Sequence, residues 1–269
     1  MKKVNGHEII QLFESWSPRR LAMEGDPVGL HIGRLNRRVE KVLVTLDVNE
    51  QVVEEAIGRG AALILAHHPP LFRPAKHIWT DTPQGRMIEL CLKNDISVYA
   101  AHTNLDIAIG GVNDLLAQKL GLADLEILQK TEEGTGEAMG LGRVGKLPDN
   151  MTLREFAEHV KECLDVPMVR VVGDTERTVR KVGVLGGDGN KYIHAAKRAG
   201  SDVLVTGDMY YHTAQDAEAI DLCIVDPGHN VEKVMIRGVA EKMTRLCEAE
   251  TYDVEFLESQ IRTEPFTFI

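Results

Sequence analysis

The chain has 269 residues, 43% of them hydrophobic and 27% charged, enough apolar content and length for one large domain or two modest ones. Its formal charge of −10 gives no overall field that would favour nucleic acid or an anionic membrane. No apolar run approaches the ~20 residues of a membrane span. Met1, Lys2 and Lys3 lead into Asn5, Gly6, His7 and Glu8, so no signal peptide is expected. Cys91, Cys163, Cys223 and Cys247 are scattered, with no C-x-x-C pair, and read as reduced core cysteines of a cytoplasmic protein.

Elements alternate along the chain. Residues 7–16 place Ile9, Ile10, Leu12 and Phe13 at helical spacing. Residues 42–46 read as a strand ended by Asp47, and 52–57 as a helix stopping near Gly58 and Gly60. A strand is expected over 61–66, a helix over 84–93, a strand over 96–101 and a helix over 111–120 closed by Gly121. Repeated β-loop-α units of this kind predict a parallel sheet. The polar, glycine-rich stretch 130–136 is a linker or hairpin candidate. A strand follows over 139–144, and Thr152 with Glu155 forms a capping-box pattern. Strands are then expected over 182–185, 202–206 and 222–226, alternating with helices over 192–199 and 209–220. A long amphipathic helix over 231–249 and a short strand over 252–256 complete the pattern. The expected fold class is α/β: two similar lobes with mainly parallel sheets, residues 1–128 with 231–269 and residues 129–230, and a site between them.

Three polar clusters follow directly on strands: His67-His68, the segment from His102 to Asp106, and the segment from Asp226 to Glu232. Ligands of open α/β sheets sit at the carboxyl ends of strands, so these histidines and carboxylates could converge. His229 and Glu232 are three residues apart at a helix start and project from one face. Imidazole and carboxylate donors without thiolate suit zinc, iron, manganese, cobalt or nickel. Three histidines and two carboxylates from these clusters are too many for one tetrahedral site with an open position. They fit two metals with a bridging carboxylate. His102 reads either as a group that orients a ligand or shuttles a proton, or as a residue that shapes the loop. Gly186-Gly187-Asp188-Gly189 lacks the spacing of a phosphate loop and reads as a glycine turn. Arg34 to Arg38 reads as a solvated turn. Thr206, Gly207, Asp208 and His212 are expected around the site without being ligands. His7, His31, His77, His159 and His194 are expected at the surface.

These motifs together carry a resemblance. The runs Leu65–Phe72, Ala101–Asp106 with Gly110–Asp114, Thr206–Asp208 and Gly228–Lys233 are similar to those of the NIF3-like family. That family is also called the GTP cyclohydrolase 1 type 2 homologue family, or the dinuclear metal centre hexameric proteins. Asp26-Pro27-Val28-Gly29-Leu30 resembles the family's Asp-Asn-x-Gly-Leu motif, with Pro27 in place of Asn. The resemblance covers the chain from about Val4 to the tail and fits the short form, without an inserted middle domain.

It implies that His67, His68, Asp106, His229 and Glu232 bind two divalent metal ions per subunit. His68 and Asp106 would serve one metal, His67 and His229 the other, and Glu232 both. It also implies a toroidal homohexamer and a metal-dependent hydrolase resembling GTP cyclohydrolase 1 type 2 homologues, using activated water on a small nucleotide-like or phosphate-containing substrate. The alternative it allows is a non-enzymatic metal-binding, metal-trafficking or regulatory interaction protein.

Overall fold

A computed structural model describes residues 2–132 and 139–269. It divides into two compact units, Met1–Ala108 with Met235–Thr263 and Ile109–Val234 with Glu264–Ile269. Among the described residues no helix is long and apolar enough to cross a membrane.

The first unit begins with α1 (Gly6–Trp16), whose start is fixed by a capping box between Asn5 and Glu8. β1 (Gly29–Ile32) and β2 (Lys41–Thr45) follow, then α2 (Glu50–Arg59), N-capped by Asn49 and stopped by Gly60 in the left-handed region at φ 72°. β3 (Leu63–Ala66), α3 (Pro83–Lys93), β4 (Ser97–Ala100) and the short α4 (Thr103–Ile107) complete this stretch. The second unit holds α5 (Val112–Lys119), β5 (Ala123–Glu132), β6 (Met139–Thr152), α6 (Leu153–Leu164), β7 (Arg170–Val172) and β8 (Thr178–Asp188). It continues through α7 (Ile193–Arg198), β9 (Val203–Gly207), α8 (Tyr211–Ala219), β10 (Cys223–Asp226) and a 3-10 turn, His229–Lys233. The chain then returns to the first unit with α9 (Val234–Ala249) and β11 (Glu255–Glu258).

The first sheet has the order β1-β4-β3-β2-β11, parallel except for the β1–β4 pair. β3 and β4 are therefore interior strands, and every residue of both is buried. One core face joins Leu43, Ile64, Ala66 and Val98 to Val52, Val53 and Ala56 of α2 and Met87, Ile88 and Cys91 of α3. α9 buries Met235, Val239, Met243 and Cys247.

The second sheet, β5-β6-β8-β9-β10-β7, corrects the expectation of mainly parallel sheets. β8, β9 and β10 run parallel, but β5–β6, β6–β8 and β10–β7 are antiparallel. β5 ends at Glu132 and β6 begins at Met139, too close in sequence for the crossover a parallel pair needs. The glycine-rich stretch falls between β5 and β6; its residues 133–138 lie outside the described residues. The strands without a sequence signal, β1, β5 and β7, are all edge strands. Edge strands bury less, so their apolar pattern is weak. The long helix expected from residue 231 instead begins at Val234, after the 3-10 turn.

Buried polar groups tie this scaffold together. Asp114 on α5 takes a two-pronged ion pair from buried Arg143, through Nε and Nη2 at 2.7 Å each, and accepts from the Gly110 amide at 2.7 Å. Asn113 Oδ1 accepts from the Gly186 amide at 3.0 Å. Asn104 donates to both the carbonyl and the hydroxyl of Ser17 at 3.0 Å, a loop-shaping role.

Candidate metal centre

In the first unit β3 delivers its two histidines from the middle of the sheet. The His67 amide donates to the Thr45 carbonyl at 3.1 Å, and that of His68 to Leu46 at 2.9 Å. The parallel register sets Ala66 beside Ala100 at the ends of β3 and β4, and His68 and His102 each follow two residues later. Adjacent strands are roughly 4.8 Å apart, which brings imidazoles at matched positions together. Ring centroids are 5.0 Å apart for His67–His68, 5.3 Å for His67–His102 and 5.8 Å for His68–His102. One ring nitrogen from each lies within 4.8 Å of the others, a group able to hold a metal ion.

The ring orientations are fixed by oxygen atoms. His67 is fully buried and its Nδ1 lies 2.8 Å from the Ala101 carbonyl. His68 Nδ1 lies 2.7 Å from Asp47 Oδ1, and the other Asp47 oxygen accepts from the Thr263 hydroxyl at 2.5 Å. His102 Nδ1 lies 2.9 Å from Asp26 Oδ1. A carbonyl or carboxylate oxygen only accepts, so Nδ1 carries the proton in each ring. A neutral ring held in this way has its lone pair on Nε2, the arrangement that metal-ligating histidines commonly show.

Asp26 is held by more than His102. Its Oδ2 accepts from the Thr103 amide at 3.0 Å and from the Thr103 hydroxyl. Burial raises the pKa of this carboxyl, but the hydrogen bonds from His102 and Thr103 outweigh it and hold the net value below the ordinary 3.8. Asp26 is thus an anionic acceptor at neutral pH. Asp106, buried on α4, places Oδ1 3.6 Å from His67 Nε2. The resemblance pairs Asp106 with His68; the approach seen in this unit is to His67.

In the second unit β10 ends at Asp226, whose carboxylate folds the next turn. Its Oδ1 accepts from the Gly228 amide at 2.8 Å, and its Oδ2 from the Met209 amide at 2.9 Å and from Arg170. Gly228 takes φ 85°, a conformation glycine adopts without cost. The 3-10 turn that follows eclipses positions three apart. That is why His229 and Glu232 share a face, with Nε2 and Oε2 3.1 Å apart. Two atoms bound at 2.0–2.1 Å to one tetrahedral ion are roughly 3.3 Å apart, so the 3.6 Å and 3.1 Å separations both fit shared metal ligation. His229 Nδ1 lies 2.7 Å from Asp208 Oδ2, which repeats the anchoring pattern of the first unit.

Glu232 is buried, and its carboxylate lies close to glycine backbone. A Cβ added at Gly186 or Gly187 would stand 2.9 or 3.0 Å from Glu232 Oε1, and one at Gly207 would stand 2.8 Å from the His229 amide nitrogen. The glycines expected to form a turn thus make room for this pair. They lie within and just after β8, so the expected turn is in fact the strand's last residues.

The sequence singles out the five candidate ligands and His102. The first unit brings together His67, His68, His102 and Asp106, and the second brings together His229 and Glu232. Sequence reasoning did not assign the oxygen partners Asp26, Asp47 and Asp208. Asp208 follows β9 directly and Asp47 follows β2 by two residues, so the strand-end rule that picked out the histidines also reaches them. His212 is exposed, and its Nδ1 lies 3.2 Å from Gln215 Oε1. His31 and His159 are half-buried and bond the carbonyls of Pro27 and Leu120, so they are not plain surface residues.

Strand-end imidazoles with fixed tautomers, beside buried carboxylates, define an α/β protein equipped with donors for divalent metal. The chain belongs to the Duf34/NIF3 (NGG1p interacting factor 3) family, whose profile matches residues 4–265. It is 42% identical to a GTP cyclohydrolase 1 type 2 homolog of Halalkalibacterium halodurans, with all of both chains covered. That alignment runs over 372 positions, so the relative holds residues this chain lacks. The Streptococcus pneumoniae homolog of the same name is 38% identical over 266 residues, covering 97% of this chain and 98% of its own length. A Bacillus cereus protein related to NIF3 shares the structure at a TM-score of 0.97 and 44% identity, with both chains fully covered.

Proposed function

We propose that the chain is a metal-dependent hydrolase that holds two divalent ions per subunit through His67, His68, Asp106, His229 and Glu232. The observation that carries this reading is the shared anchoring of His67, His68 and His229. In each ring an oxygen acceptor engages Nδ1, which leaves the lone pair on Nε2. Asp106 acts with His67, Glu232 acts with His229 and bridges, and His68 completes the set. Divalent ions bound there supply Lewis acidity that activates water toward a hydrolysable bond. The chain's own contribution is orientation: Ala101, Asp47 and Asp208 hold the imidazoles, and Gly186 and Gly187 leave space for the Glu232 carboxylate.

The ions are zinc, iron, manganese, cobalt or nickel, as imidazole and carboxylate donors suit. The curated relatives' name supports a small nucleotide-like or phosphate-containing substrate. We extend the proposal to a toroidal homohexamer working in the cytoplasm. The family's description as an interacting factor supports a second reading, a metal-binding, metal-trafficking or regulatory interaction protein without turnover.

Elemental analysis of protein purified without chelator, followed by a nucleotide screen in the identified metal, tests these readings. A hydrolase shows metal-dependent turnover that disappears in the His68→Ala, Asp106→Ala double variant while the circular dichroism spectrum is kept. Exchangeable metal with no turnover selects the second reading, and a protein that binds no divalent ion sinks both. Sedimentation of a single chain instead of six would reject the ring.

A further inference from the structure

The β8–β9 register sets Asp188 beside Gly207 at the carboxyl ends of two parallel strands. Open α/β sheets receive their ligands at such ends. Tyr210 follows Gly207 by three residues and is 59% exposed. We propose that the Tyr210 ring is the platform on which the planar ring of a nucleotide-like substrate stacks, held in place by Asp188 and Asn190. This rests on the nucleotide-like substrate proposed above and adds to it the residue that meets the base.

Tyr210 is pinned at both ends. Its hydroxyl donates to Asp188 Oδ2 at 2.9 Å, and its amide donates to Asn190 Oδ1 at 2.9 Å. Asn190 is buried and ties the two strand ends together. Its amide donates to Asp188 Oδ1 at 2.9 Å, and its Nδ2 donates to Asp188 Oδ1 at 2.5 Å and to the Asp208 carbonyl at 2.9 Å. The Thr206 hydroxyl donates to the Gly187 carbonyl at 3.0 Å, and a Cβ added at Gly189 would stand 2.3 Å from that hydroxyl oxygen. The turn beneath Tyr210 therefore has little room to shift.

The same turn orients a proposed ligand. Asp208 accepts from Asn190 through its carbonyl and engages His229 Nδ1 through Oδ2. Tyr210 and His229 are thus positioned through one residue. The neighbouring tyrosine supplies a contrast: Tyr211 is 74% exposed, and its ring lies edge-on to exposed His212, with centroids 5.3 Å apart. Fixing an exposed side chain in one orientation costs conformational entropy. A tyrosine that serves only solubility gains nothing from that cost. A stacking platform does, because a ring already turned to its partner loses less freedom on binding. Bases of every kind offer a flat face, so an aromatic ring reads their planarity.

The test measures binding of GMP, AMP and ribose 5-phosphate to the metal-loaded full chain by isothermal titration calorimetry. Ribose 5-phosphate keeps the sugar and the phosphate and lacks the base. Wild type is expected to hold GMP and AMP more tightly than ribose 5-phosphate. Tyr210→Ala is expected to weaken the two nucleotides by roughly 5–150-fold and to leave ribose 5-phosphate unchanged. Tyr210→Phe keeps the ring and loses one hydrogen bond, so the nucleotides should weaken by less than about 10-fold. Tyr211→Ala should match wild type for all three probes.

A wild type that holds GMP and AMP no more tightly than ribose 5-phosphate overturns the assignment. So does a Tyr210→Ala variant that keeps the wild-type preference, or one that weakens all three probes equally, as a purely structural role would. A loss as large in Tyr211→Ala also overturns it. Metal content and turnover are read on the same preparations. Metal-dependent turnover without a base preference leaves the hydrolase reading standing and rejects the platform. A base preference that depends on Tyr210, in a protein without turnover, keeps the platform and removes the hydrolase.

Discussion

His67 and His229 present the same ring nitrogen by different means. His67 is fully buried, and its Nδ1 is held by a main-chain carbonyl of the neighbouring strand's extension. His229 is half-buried on a 3-10 turn, and its Nδ1 is held by the side chain of Asp208. Asp208 itself sits at φ 54°, a left-handed conformation that aspartate tolerates better than most residues. His67 is therefore set by main chain, and His229 by a particular side chain and by missing ones. A donor held by main chain is hard to disturb through one substitution. A donor held by side chains and glycines is open to several.

The largest expected effect breaks the second unit's scaffold. Asp114→Ala leaves buried Arg143 without its carboxylate, and breaking such a pair costs about 3–5 kcal/mol. Urea unfolding should show the loss. An unchanged midpoint would mean that the carbonyls of Gly140 and Gly142, which Arg143 also reaches, suffice.

A gentler change targets the space around Glu232. Gly187→Ala must push that carboxylate aside and adopt φ 63° with a side chain, at a cost of about 1–3 kcal/mol. Both metal equivalents should weaken in dialysis, because the proposed role of Glu232 serves both ions. If both equivalents keep their affinity, Glu232 is not a ligand.

Smaller still is the change at the orienting carboxylates. Asp208→Asn and Asp47→Asn should each lower the affinity of one ion by ~10–100-fold. His67 offers no such handle, since its partner is a backbone oxygen. Equal losses in both variants would extend the anchoring argument across the units, whereas a silent Asp208→Asn would place His229 outside the metal set.

The smallest effect concerns thiols away from either donor set. Burial pushes the Cys91 thiol from its ordinary 9.0 up to about 12 and Cys247 up to about 11. A disulfide reagent at pH 8 should leave both unlabelled in the native protein and label both in urea. The sign for stability follows. The folded chain keeps protons that the unfolded chain releases above pH 9, so stability falls as pH rises from 9 toward 11 or 12. Fast native labelling of Cys91 would show that α3 opens readily from the sheet.

Much of this architecture was legible in residue order. The interior strands β2, β3, β4, β8, β9 and β10 are apolar runs, and a run buried on both faces announces itself. The capping box at Thr152 and Glu155 and the stop at Gly60 were readable because their chemistry is local. The edge strands β1, β5 and β7 were not, since a strand with one neighbour keeps exposed polar positions. α4 has five residues, too few to show a helical period, and yet it carries Asp106.

By itself the sequence determined which residue types end the strands: two histidines after β3, one after β4, and a histidine and a glutamate after β10. Those follow from where the apolar runs stop. Tertiary structure decided how each donor is turned. Asp26 lies 76 residues before His102, Asp47 lies 21 before His68, and Asp208 lies 21 before His229. A hydrogen bond across such a separation exists only once the sheet has set its register. The same holds for Gly186 and Gly187, whose lack of a side chain has meaning only against the Glu232 carboxylate.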